Sequence, residues 1–198
     1  MAENPASNPD GSPAARTTGR PVPGWAKAAG WLSLLMPLPA VAWRVAMLAG
    51  VDVGFADVEQ FRSSAGGVGY VLTLEIVSVL AAILCFGLIR PWGERVPGWL
   101  PGAGRAIPRW LPLTLGTIGV IVMVILLGQT LADIVAGALG DTDAWQPYAG
   151  MSPGQLVLWL ACYIPFYTWP IAVAVTLIGY WVRRRRAGLN ESCAYRRR

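Results

Sequence analysis

Three charged residues stand inside otherwise apolar stretches of this 198-residue chain: Arg44, Glu75 and Asp133. Charge is costly at membrane depth, so such residues are functional candidates by default and are expected to find partners. Counted back from Gly50, Arg44 lies about six residues deep, and counted in from Gly69, Glu75 lies equally deep, roughly 9 Å at the helical rise. That matching depth predicts an Arg44–Glu75 ion pair, which keeps both groups charged where either alone would be expensive. Asp133 lies about seven residues before Gly140, with Gln129 one turn below it on the same helix face; the third segment is longer than a span needs, which leaves a place at the outer interface open to Asp133. Two readings follow. The pair is a clamp between consecutive helices, or Arg44, Glu75, Asp133, Gln129 and Tyr163 together form a polar pocket open to the outside. A carboxylate held by Arg44 would make a poor general acid, which counts against acid catalysis at Glu75.

Much other chemistry is excluded by residue type. The chain has no His, which removes His-based triads and HExxH zinc sites. Its three cysteines, Cys85, Cys162 and Cys193, form no CxxC, so neither dithiol redox chemistry nor a thiolate metal site is expected. Cys85 and Cys162 read as small buried hydrophobes and Cys193 as an exposed tail thiol. No nucleotide motif and no nucleophile with a base stand out; no metal and no cofactor is implied.

The elements that must position these residues follow from composition. Hydrophobic residues make up 55% of the chain and charged residues only 14%, against roughly 25% in soluble domains. Four segments reach the ~20 apolar residues that a membrane helix needs, at about 25–50, 69–89, 111–139 and 155–182. The expected fold is therefore an all-α membrane protein with four transmembrane helices arranged as two hairpins. Residues 1–24, rich in Pro, Gly, Ser and Asn, read as a disordered arm, and 183–198 as a basic tail.

Charge then sets the threading. Every Arg and Lys except Arg44 and Arg62 falls on one side of an alternating four-span chain, in the arm, the middle loop or the tail. The opposite loops carry Asp52, Asp57, Glu59, Asp141 and Asp143. The positive-inside rule puts both termini in the cytoplasm and makes the cytoplasmic membrane the expected location. Topology accounts for the Arg clusters better than nucleic-acid binding does, and attraction to anionic lipid is compatible with it. Trp25, Trp92, Trp99, Trp110 and Trp181 near the basic side, and Trp145 and Trp159 near the other, fit indoles at the interface. Trp169 falls nearer the middle, as a packing residue. Ala40-Val41-Ala42 matches a signal-peptidase pattern, but the hydrophilic arm before it and the apolar run VAMLAGV after Arg44 favour retention of the segment.

Finer features point to packing. Tyr163 and Tyr167 are one turn apart on the fourth segment, where Pro165 and Pro170 should kink the helix. Gly116 and Gly119, with Thr114 and Thr117, suggest close helix contact on the third. The outer turns Asp57-Val-Glu-Gln60 and Asp143-Ala-Trp-Gln146 hint at a duplicated hairpin, although unrelated hairpins obey the same interface rules.

The middle loop is the most distinctive stretch: Arg90, then PWGERVPGWLPGAGRAIPRW, then Leu111. Its P-W-G-E-x-x-P-x-W-x-P pattern resembles the cytoplasmic linkers of small multi-pass membrane proteins of actinobacteria, a resemblance of about 20 residues that implies no activity. Pro91, Pro97, Pro101 and Pro108 interrupt any helix there, and Glu94 is the only acid. The loop reads as a connector hugging the interface, or more sharply as a docking loop. For the whole chain the leading expectation is a non-enzymatic accessory or interaction component that contacts the lipid bilayer and either self-associates or binds another membrane protein. A small transporter subunit using Arg44, Glu75 and Asp133, and an intramembrane enzyme acting on a lipid or isoprenoid, are the alternatives.

Overall fold

The structure, a computed structural model, describes residues 22–96, 98, 101 and 104–195, with side chains up to Arg185. The arm expected over 1–24 lies outside it except for its last three residues, as do Trp99, the Cys193 side chain and Arg196 to Arg198. The regular secondary structure of the described residues is helical, apart from one isolated β-bridge in the middle loop. Four helical stretches are long and apolar enough to cross a membrane: Gly24–Leu48, Ala65–Gly87, Trp110–Ala138 and Pro153–Arg185.

The first stretch is two helices, α1 (Gly24–Leu35) and α2 (Leu38–Leu48), broken at Met36 and Pro37. Pro37 and Pro39 have no N–H, so the carbonyls of Ser33 and Leu35 lose their helical donors. Helical bonding resumes on both sides, with Met36 N–H donating to the Leu32 carbonyl at 2.9 Å and Val41 N–H to the Pro37 carbonyl at 3.0 Å. Ala40-Val41-Ala42 lies inside α2, and Ala40 is fully buried.

A short α3 (Val58–Arg62) precedes α4 (Ala65–Gly87), whose start is capped by Ser64 Oγ accepting from Gly67 N–H at 2.9 Å. Then come a 3-10 turn (Pro91–Gly93), α5 (Trp110–Ala138) and α6 (Pro153–Tyr195). Helix α6 runs on past residue 182 into the basic tail, as far as Tyr195. Proline does not end this helix either; it runs unbroken through Pro165 and Pro170. Both α2 and α5 stop at a glycine in the left-handed region, Gly50 at φ 98° and Gly140 at φ 103°, where a side chain would be strained.

Helix pairing follows the two expected hairpins, α1–α2 against α4 and α5 against α6. Extensive contact of α6 with α1 and α2 joins the hairpins. Gly179 makes this approach possible: a Cβ there would lie 2.7 Å from the Ala26 side chain. By contrast, α4 and α5 have no substantial contact with each other. The main core gathers around Phe166, Trp169, Val173 and Tyr180 of α6. A second cluster, around Trp43, Met47, Val53 and Trp159, packs the two acidic-side loops onto the helix ends. The two outer turns are not equivalent, since Asp57 leads into α3 while Asp143 lies in an irregular loop.

Candidate functional site

Arg44 and Glu75 meet as their spacing predicted. Arg44 Nε donates to Glu75 Oε1, and a second guanidinium nitrogen approaches Oε2 at 3.4 Å. This fork geometry lets one planar cation satisfy both carboxylate oxygens. Both residues are buried, at 9% and 4% exposure, which rules out a merely superficial ion pair. The depth estimate for Glu75 needs correction, because α4 begins at Ala65, four residues before Gly69. Glu75 is therefore farther from its helix end than Arg44 is from the end of α2, and the long Arg side chain bridges the difference.

Aromatic rings from α6 close the site. The Arg44 guanidinium lies 4.8 Å from the centroid of Phe166 and 5.6 Å from that of Tyr163. Desolvated cation–π contacts of this kind stabilise the charge beyond what the carboxylate supplies. Tyr163 stacks on Trp159 at 5.2 Å and meets Trp43 edge-on at 5.4 Å, continuing the aromatic cluster outward. The local chemistry is that of a sealed clamp joining α2, α4 and α6.

Asp133 and Gln129 are not part of it. Both are exposed on α5, with no ion pair or side-chain hydrogen bond among the described residues. The expected five-residue pocket therefore reduces to Arg44, Glu75 and Tyr163. The physical reason is helix order: α5 packs on α6 and has no substantial contact with α2 or α4. Thr114 and Thr117 are likewise exposed, Thr114 bonding back to the Trp110 and Leu111 carbonyls of its own helix. Gly116 does take a helix contact, against Leu177, whereas a Cβ at Gly119 would meet only open space.

Two polar arrangements were not anticipated. Trp169, expected only to pack, donates from Nε1 to the Ser33 carbonyl at 2.8 Å. That is the acceptor left free by Pro37, so the indole of α6 satisfies a backbone carbonyl that the proline leaves without its helical donor. Beside it, Ser33 Oγ and Thr176 Oγ1 are 3.1 Å apart, one donating across the interface and the other to its own helix. The signal was present as Pro37 four residues after Ser33, but nothing local named the donor.

The other lies at the Arg-rich end. Arg183 pairs with Glu94 at 2.7 Å and donates to the Leu88 carbonyl at 2.9 Å; Arg184 donates to the Ile107 carbonyl at 2.7 Å. The middle loop is thereby tied to α6. It folds back on itself through the Arg95–Ala106 bridge, with Ile107 N–H donating to the Glu94 carbonyl at 2.8 Å. Arg90 instead lies over Phe86 and Trp31, at 4.8 and 5.9 Å. Among the described residues, no group of three or more His, Cys, Asp or Glu is placed to hold a metal ion.

No protein-family model, no curated protein and no solved structure matches this chain. Its four long, apolar helices are those of a candidate multi-pass membrane protein.

Proposed function

We propose that the protein is a non-enzymatic accessory component of the cytoplasmic membrane, with both termini in the cytoplasm, that engages another membrane-embedded polypeptide through α5. The observation that carries this reading is the state of α5. None of its 29 residues is buried, and Gln129 and Asp133, one turn apart, are exposed within the span. A carboxylate and an amide facing lipid are expensive, and interhelical hydrogen bonds offer them partners. Leu115, Ile118, Val122 and Leu126 extend the exposed surface along the same helix. The middle-loop pattern, with its likeness to linkers of actinobacterial membrane proteins, is compatible with this role.

The sealed state of the Arg44–Glu75 pair supports the same reading over transport or catalysis. With the guanidinium covered by ring faces and both oxygens of Glu75 engaged, the pair is a structural clamp. The test is photo-crosslinking in cells from a reactive amino acid at Gln129 or Asp133, compared with Trp31 on α1. Crosslinks to a membrane protein, or to a second copy, should form from α5 and not from α1. Equal yields from both helices would overturn the proposal.

A further inference from the structure

A cleft of about 700 Å³ opens between α4 and α5. Leu84 and Leu88 form one wall, Leu115 and Gly119 the other, and Trp169 and Val173 of α6 the floor. It exists because α4 and α5 pack on other helices and leave each other apart. Its size is within the roughly 300–1,000 Å³ usual for small-molecule sites. Its wall on α5 runs from Leu111 to Met123, about 18 Å at the helical rise. One leaflet of a ~30 Å hydrocarbon core has nearly that depth. The cleft therefore has the length and the apolar lining of a single acyl chain.

At the basic end the cleft is lined by Val96 and Ile107 of the middle loop. Arg184 reaches the Ile107 carbonyl and has no carboxylate partner among the described residues. Arg105 is exposed two residues before Ile107 in the same folded loop. Glu94, the only acid of this loop, is neutralised by Arg183. Leu111 and Pro112 of the first turn of α5 also line this end, which adds the positive end of the helix dipole. An apolar slot of leaflet depth thus ends at the loop that carries Arg105 and that Arg184 holds.

We infer that this cleft binds an anionic diacyl phospholipid, with one acyl chain between α4 and α5 and its phosphate against Arg105 and Arg184. The cleft shares helix α5, and Leu115 on it, with the surface proposed above, but Gln129 and Asp133 do not line it, so crosslinking from those two residues and lipid uptake by the cleft can fail separately. It is tested by native mass spectrometry of the full chain in detergent, titrated with phosphatidylglycerol or with phosphatidylcholine of the same acyl chains. The wild type should take up phosphatidylglycerol saturably and in preference to phosphatidylcholine. Arg105→Gln should weaken phosphatidylglycerol binding about fivefold, the usual effect of one interfacial Arg, and leave phosphatidylcholine unchanged. Gly119→Leu points into open space and should weaken both lipids while thermal unfolding without lipid stays the same. If Gly119→Leu does not fold, Leu115→Trp, on the cleft wall, replaces it. Undiminished binding in the cleft variant, equal binding of the two lipids by the wild type, or a dimer that excludes lipid would each overturn the assignment.

Discussion

Removing either member of the Arg44–Glu75 pair leaves a charge buried among aromatic rings with nothing to balance it. Arg44→Glu and Glu75→Arg should each destabilise the fold by about 3–5 kcal/mol, the range for uncompensated buried charge. The double exchange should recover most of that loss, read as monodisperse yield and thermal midpoint in detergent. Stable folding of both single variants would show that the pair does not clamp the helices. A smaller effect is expected at Trp169. Trp169→Phe keeps an aromatic ring in the core but leaves the Ser33 carbonyl without its donor, and should cost about 1 kcal/mol. Retaining Trp169 but replacing Pro37 with Ala supplies a competing backbone N–H, so the two changes together should cost less than the sum of the separate losses, a coupling readable in a double-mutant cycle.

The helices differ in what holds them. The close crossing of α1 and α6 depends on Gly179, so Gly179→Leu should force these helices apart and cost at least ~2 kcal/mol, measured by thermal unfolding. The contrast with Gly119 is informative because both glycines lie in long apolar helices and only their surroundings differ. Local pattern could identify small residues on the third segment, and Gly116 indeed faces Leu177, but it could not separate Gly116 from Gly119. Period and composition tell which residues share a helix face; which face meets a neighbour depends on helix order. The same limit applies to Asp133, which is legible as a charged residue in a span but not as one turned away from the Arg44–Glu75 pair. For Arg183 and Arg184 the positive-inside rule was a sufficient account of charge. It concealed that these residues bind the middle loop to the end of α6.

For the molecule as a whole, the division between a basic and an acidic side is the main prediction. With Cys85, Cys162 and Cys193 replaced by Ser, a single cysteine at Asp143 should react with a membrane-impermeant maleimide in intact cells. One at Arg95 should react only after permeabilisation. The reverse pattern would invert the threading. Both ends of the molecule are built to match such a boundary. The acidic-side loops carry an aromatic cluster anchored on Trp43 and Trp159, while Trp25, Trp110 and Trp181 stand partly exposed at the Arg-rich end.

The amino-acid sequence alone determined the four apolar helices and their hairpin order and singled out Arg44 and Glu75 as candidates for a pair, because segment length, hydropathy and charge are local quantities. Only the tertiary structure decided that α6 lies against α1, α2 and α5 while α4 and α5 stay apart. Helix order depends on which surfaces fit across long separations in the chain: Gly179 against Ala26, Trp169 on the carbonyl freed by Pro37, and α6 rings over Arg44. That order closed the ion pair, left Asp133 on an open helix face, and opened the cleft beneath the middle loop.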